Sequence, residues 1–265
     1  MKLLILACGA GSGQAAAAKA LKDEAERQGH TAAVVDPFSR LGRKKPDGDA
    51  PAPERKKRRS ALSRKVERMT DATPLTAPFL FSGAKFAESF GEEIRSGGYG
   101  AILAIHPYAM EAVSALIRHG EKLPPARGVF TDYALPPIFR GTELREYFLP
   151  HWVLTEDLAE KGIRRERLNP CGVPAPARLA SPMGKDEARN YLVLPREEKI
   201  LLLFAEGLSE GNAARILDEL LPPQGTGPFV TVMTGRESGD RDDLARRYAG
   251  DGRIQINLFT ERFDV

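Results

Sequence analysis

A carboxylate in the run Thr131-Asp132-Tyr133, an imidazole in His106-Pro107-Tyr108 and two glycine-rich turns make up the reactive groups of this chain. A carboxylate at a strand end orients a hydroxyl or takes its proton. An imidazole titrates near neutral pH and serves as donor, acceptor or base. The first turn, Gly9-Ala10-Gly11-Ser12-Gly13-Gln14, lies between an apolar run at 3–7 and an alanine-rich segment of high helix propensity. Its glycines let the backbone approach a bound group closely. The helix expected from about Gln14 aims its free N–H groups at the same place, which suits phosphate or sugar oxygens. The second turn, residues 205–212, carries Gly207, Ser209 and Gly211 ahead of a helix expected at 213–221. Glu206 and Glu210 put negative charge there, which weakens it as a seat for a diphosphate.

Strand, glycine loop and helix in that order open a doubly wound α/β domain. Gly29 ends the first helix, and residues 31–36 read as the second parallel strand, closed by Pro37. Phe86, Phe90 and Ile94 recur at helical spacing, with a core-facing stripe as the default reading and lipid contact as the other. Residues 101–105 read as a buried strand, followed by an amphipathic helix bearing Met110, Val113, Leu116 and Ile117. The next strand, at 128–130, runs into Asp132. In open parallel sheets ligands bind beyond the carboxyl ends of strands, which puts His106 and Asp132 on the functional edge. Residues 147–154 are expected as a further strand. A helix then has Thr155 as its N-cap, Glu156 and Asp157 in its first turn and Lys161-Gly162 at its end. Residues 167–171 return to the sheet. A polar, proline-punctuated linker at 176–197 separates this lobe, 1–175, from a second one at 198–265. The second lobe is expected to hold strands at 199–204, 229–233 and 253–258 and a helix near 240–248 beside the one at 213–221.

The apolar content of 42% is that of a globular protein. No run reaches the roughly 18 apolar residues that span a bilayer, and the apolar start is shorter than the ~15–30 residues of a secretory signal. A cytoplasmic protein is expected. Cys8 and Cys171 lack partners at metal-ligand spacing and read as free buried thiols, so no metal site is expected. The net charge is only +3, but residues 40–68 hold twelve Lys or Arg against four acids, with an unbroken cationic run at 55–59. This stretch belongs to an irregular insertion at 38–98. No aromatic residue interleaves with the basic run, so stacking on bases is unsupported and no nucleic-acid partner is expected. A solvated loop is one reading; an anionic membrane surface is the functional one, at about 1 kcal/mol of attraction per basic residue.

Gly9 and Gly11, with Asp36 at the end of the second strand, fit part of a dinucleotide-binding fingerprint, although Gln14 stands where Gly or Ala is needed. The chain also resembles the diacylglycerol-sugar synthases, the family of monogalactosyldiacylglycerol synthases and processive diacylglycerol glucosyltransferases. The resemblance rests on Gly11-Ser12-Gly13-Gln14 before an Ala-rich helix ending in Ala20-Leu21, on His106-Pro107, on Thr131-Asp132-Tyr133 and on Gly172-Val173-Pro174. It implies a GT-B-like protein with two Rossmann-like lobes, the first for the lipid acceptor and the second for the nucleotide sugar. The implied reaction moves a hexose from a UDP-sugar to diacylglycerol with inversion, at the inner face of the cell membrane and with no cofactor beyond the donor substrate. Gly11, Ser12, Gly13, Gln14 and His106 would contact substrate on the first lobe, and Gly207, Ser209 and Gly211 on the second. Gln14 replaces the family's histidine, which leaves Asp132 as the catalytic carboxylate. Two other readings stand beside this one: an inactive or weak lipid- or sugar-binding relative, and an NAD(P)-binding protein. The 67 residues from Lys199 onward fall short of the on the order of 100–150 of a common domain. The second lobe is therefore expected to be incomplete, and the chain alone to lack turnover.

Overall fold

The computed structural model describes residues 1–7, 12–37, 84–135, 139, 143–205, 208, 211–222, 227–235 and 240–258. The chain divides into two compact units, Met1–Ala177 and Arg178–Val265. In the first, β1 (Lys2–Ala7), β2 (Thr31–Val35), β3 (Ala101–Ile105), β4 (Ala126–Val129), β5 (Glu146–Leu149) and β6 (Leu168–Pro170) form one sheet in the order β2-β1-β3-β4-β5-β6. Every pairing is parallel.

A parallel sheet must be covered on both faces, so its central strands are apolar at consecutive positions. Leu4, Ile5 and Leu6 of β1 are all buried. Leu4 and Leu6 join Ile102 and Ala104 under α2 (Ala84–Ser96) and α3 (Pro107–Arg118), where Phe90, Ile94, Met110, Val113 and Leu116 complete the larger core. Ile5 faces the other way, with Ile105 and Val129, and meets Ala18 of α1 (Ser12–Arg27). The stripe of Phe90 and Ile94 is therefore core, as its spacing predicts; the side chain of Phe86 lies outside the described residues. Gly128 of β4 is small because a Cβ there would come within 2.7 Å of the Tyr147 ring and 3.0 Å of the Met110 sulfur.

Helix α1 ends as Gly29 predicts. Gly29 has φ 78, its N–H donates to Glu26 and the N–H of His30 donates to Ala25, which satisfies the last carbonyls. The strand expected at 147–154 stops at Leu149, because the Leu149 carbonyl takes the N–H groups of Cys171 and Gly172 and Pro150 brings none. The helix that follows, α4 (Leu154–Glu160), begins earlier than its sequence suggests, and Thr155 lies inside it. Val153 holds the cap position without a capping side chain, and the imidazole Nδ1 of His151 accepts the Val153 N–H at 3.3 Å. Cys171, expected to be buried, is exposed because β6 is the sheet's edge strand and ends one residue before it. Cys8 and the basic residues of 40–68 lie outside the described residues.

In the second unit β7 (Ile200–Phe204), β8 (Phe229–Thr234) and β9 (Ile254–Leu258) are parallel in that order. A short helix, α5 (Lys185–Tyr191), precedes them, and its Arg189 guanidinium donates to the carbonyls of Pro195 and Glu198, fastening the approach to β7. Helices α6 (Asn212–Leu220) and α7 (Asp240–Arg247) bury Leu217 and Leu244 with Val230 and Val232. The hydroxyl of Tyr248 donates to Asp218 at 2.8 Å and lies 2.9 Å from the Ala214 carbonyl, joining the end of α7 to α6. Burial and the Asp218 carboxylate push this phenol up to about 12.

Candidate functional site

The first sheet reverses its winding between β1 and β3, since β2 lies on one side of β1 and β3 on the other. Loops diverge at such a point and leave a crevice beyond the carboxyl ends of the strands. On its β1 side lies the start of α1. The helix begins at Ser12, two residues before the expected start, so Gly13 and Gln14 belong to its first turn, where N–H groups have no partner within the helix. Its alanine-rich sequence carries the helix back to the glycines. Gly13 is exposed, and a Cβ there would meet open space. Nothing in the described structure requires glycine at 13, in contrast to Gly211, whose φ of 78 at the cap of α6 calls for it. The side-chain oxygen of Gln14 is buried without a hydrogen-bond donor among the described residues. Buried polar atoms are normally paired, so this atom is a lead to function. Gly11, Gly207 and Ser209 lie outside the described residues, as does the side chain of Ser12.

On the β3 side stands His106, with φ 88 and ψ 140. A residue with a Cβ rarely adopts positive φ, and such strain costs on the order of 1–3 kcal/mol and persists where the surroundings fix it. Pro107 is well suited to open α3, because its missing N–H would have had no partner there. The next free N–H, that of Tyr108, donates to His106 Nδ1 at 3.2 Å, while the two rings sit 4.7 Å apart. The His106 backbone N–H reaches the Val129 carbonyl at 3.4 Å, tying the ends of β3 and β4 together. A ring nitrogen that accepts from the backbone cannot hold the proton, so Nε2 carries it and His106 is a fixed donor.

Burial pulls the imidazole down to about 4, and the nearby Asp132 carboxylate opposes that shift. His106 is therefore neutral at pH 7. The unfolded chain, with an ordinary histidine near 6.5, binds this proton first, so stability rises with pH between about 4 and 6.5 and falls as acid is added. The contribution is on the order of 3 kcal/mol across that window. His106→Asn keeps a capping group and tolerates positive φ. Urea unfolding of parent and variant from pH 7 to pH 4 should show the parent losing more stability; parallel curves would contradict the assignment.

Asp132 follows β4, the strand beside β3, and is exposed, with the Thr131 hydroxyl 3.4 Å away. Below it the chain is anchored: Phe130 packs edge-on against Phe139 at 5.4 Å, and Ser114 Oγ accepts the Glu143 N–H at 3.1 Å. His106 and Asp132 thus share one edge, as their strands predict. Tyr133, of the Thr131-Asp132-Tyr133 run, is exposed after β4, whereas the sequence reading assigned no role to His151 and Trp152, which expose their rings after β5. Their signal was Pro150, which ends β5 before the expected strand can absorb them.

The two parallel α/β units are those of a GT-B fold, which solved structures share. Similar solved structures include the lipopolysaccharide outer core galactosyltransferase WaaB, at 10% identity and TM-score 0.50, over 98% of this chain and 68% of that one. Sucrose-phosphate synthase from Thermosynechococcus elongatus matches at 13% identity and TM-score 0.51, over 98% and 71%. HepE from Anabaena in complex with UDP matches at 14% identity and TM-score 0.51, over 99% and 70%. The family model for monogalactosyldiacylglycerol (MGDG) synthase matches residues 15–175. The chain belongs to that family, and so to the glycosyltransferases. No curated protein matches it. The matched stretch holds His106 and Asp132 and begins one residue after Gln14. Among the described residues, no helix is long and apolar enough to cross a membrane.

Proposed function

We propose that this protein transfers a hexose from a UDP-sugar to the hydroxyl of diacylglycerol or a related lipid, with inversion, at an anionic membrane surface. The observation that carries the reading is the family match over a stretch whose His106 and Asp132 sit together at the carboxyl edge of neighbouring strands. The acceptor oxygen attacks the anomeric carbon, the bond from that carbon to the diphosphate oxygen breaks, and UDP leaves with the electron pair. Asp132 takes the proton of the attacking hydroxyl. His106 donates from Nε2 to a substrate oxygen, and the first-turn N–H groups of α1, with Gly13 leaving room, receive oxygens that carry negative charge. The family resemblance alone supports Gly11 as a substrate contact on the first lobe and Gly207, Ser209 and Gly211 as contacts on the second, Gly211 through its backbone.

Gln14 favours a second reading, a lipid- or sugar-binding relative without turnover, because an amide cannot take a proton where the family has a histidine. One experiment separates the two. The purified protein is given labelled UDP-glucose or UDP-galactose with diacylglycerol in mixed micelles, and both glycolipid formation and retention of each substrate are measured. Glycolipid formation supports transfer. Retention without product supports the binding relative, and neither product nor retention overturns both.

A further inference from the structure

The loops after β4 and β5 bring three rings into a row on the edge that carries Asp132. The Tyr133 and His151 rings lie 6.3 Å apart at 43°, and those of His151 and Trp152 lie 5.3 Å apart at 38°. Tyr133 is 64% exposed, Trp152 67% and the adjacent Val153 47%. A single exposed aromatic is ordinary; a row drawn from two loops marks an interaction surface. These rings are not part of the buried core, which takes Phe130, Tyr147 and Leu154 from the same stretches of chain. His151 Nδ1 accepts the Val153 N–H, so its Nε2 carries the proton and is a donor.

We propose that Tyr133, His151 and Trp152 form a step that binds one face of a pyranose ring, with Asp132 and His151 taking hydroxyls at its rim. The proposal rests on the hexosyl-transfer reading for its ligand class and on the three rings for its position. A pyranose offers an apolar C–H face and a rim of hydroxyls. The rings supply flat apolar area, the Asp132 carboxylate accepts hydroxyl protons, and His151 Nε2 donates. Trp and Tyr also settle at bilayer surfaces, but a surface of anionic lipid calls for basic neighbours. Here the flanking charges are Asp132 on one side and Glu156 and Asp157 on the other, all exposed, with Glu156 paired to Arg165.

Trp152 is the only tryptophan of the chain, so its intrinsic emission reports on this step alone. The full-length protein is titrated with methyl β-glucopyranoside and methyl β-galactopyranoside, and separately with phosphatidylglycerol and phosphatidylcholine vesicles. The expected result is a saturable emission change with at least one glycoside, half-complete at about 1 mM or above. Tyr133→Ala and His151→Ala should each weaken it about five-fold or more. Emission that moves with vesicles but with neither glycoside up to about 100 mM, or a glycoside response unchanged in both variants, overturns the proposal. Because the readout is binding, loss of the transfer reading through absent turnover leaves this result interpretable.

Discussion

Asp132→Asn is expected to lower hexosyl transfer by about 10²–10⁴-fold, the usual worth of a positioned general base, while His106→Ala lowers it by about ten-fold. Asparagine keeps the size of the side chain and one acceptor oxygen but cannot take a proton. Among the described residues, the loop that follows β3, His106-Pro107-Tyr108, holds no second carboxylate to replace it. His106 cannot stand in either, because Nδ1 is engaged by the Tyr108 N–H and Nε2 carries the proton. Its loss removes one hydrogen bond to substrate, which is a smaller effect. The split should also differ in kind. Asp132→Asn should act mainly on kcat, since asparagine keeps one acceptor oxygen for a substrate hydroxyl, whereas His106→Ala should act on KM at least as much as on kcat. Equal turnover of Asp132→Asn and parent, in steady-state assays with labelled UDP-sugar, would remove Asp132 from the mechanism.

The strands that carry these residues were legible in the sequence because they are buried on both faces. Residues 101–105 read as one strand from five consecutive apolar positions, and β3 has those bounds. His106 was placed at the carboxyl end of its strand for the same reason. Its positive φ and its fixed proton were not legible: the Tyr108 N–H reaches Nδ1 only through the turn at His106, and the Val129 carbonyl that holds the His106 N–H comes within reach only once β3 and β4 are paired. The aromatic row was hidden by a similar limit. Tyr147, Leu149 and Leu154 are buried, and a continuous strand through 147–154 would use His151 and Trp152 as its interior. The register of β5 against β6 ends at Leu149, where Pro150 brings no N–H and the Leu149 carbonyl takes the N–H groups of Cys171 and Gly172 from across the sheet. Gly211 shows the converse case: a glycine read as facing a ligand has a sufficient reason in its own backbone.

Substituting all five residues of 55–59 by glutamine is expected to weaken binding to vesicles rich in anionic lipid by at least about a hundred-fold. Each basic side chain near such a surface contributes about 1 kcal/mol, so five of them bound the effect at about 5 kcal/mol, and incomplete contact reduces it. The segment lies outside the described residues, and the expectation rests on its sequence: Arg55-Lys56-Lys57-Arg58-Arg59, within a stretch of twelve cations and four anions. Attraction of this origin is screened over about 8 Å at physiological ionic strength. Raising the salt should therefore weaken the parent much more than the substituted protein. The effect should also fall on membrane recruitment rather than on chemistry. With a diacylglycerol acceptor dispersed in neutral detergent, parent and variant should turn over alike, and the gap between them should open as anionic lipid is added. Sedimentation with phosphatidylglycerol and phosphatidylcholine vesicles decides the matter. Equal binding of the parent to both, or equal binding of parent and variant to phosphatidylglycerol, would leave the basic run as a solvated loop and assign membrane contact to another part of the chain.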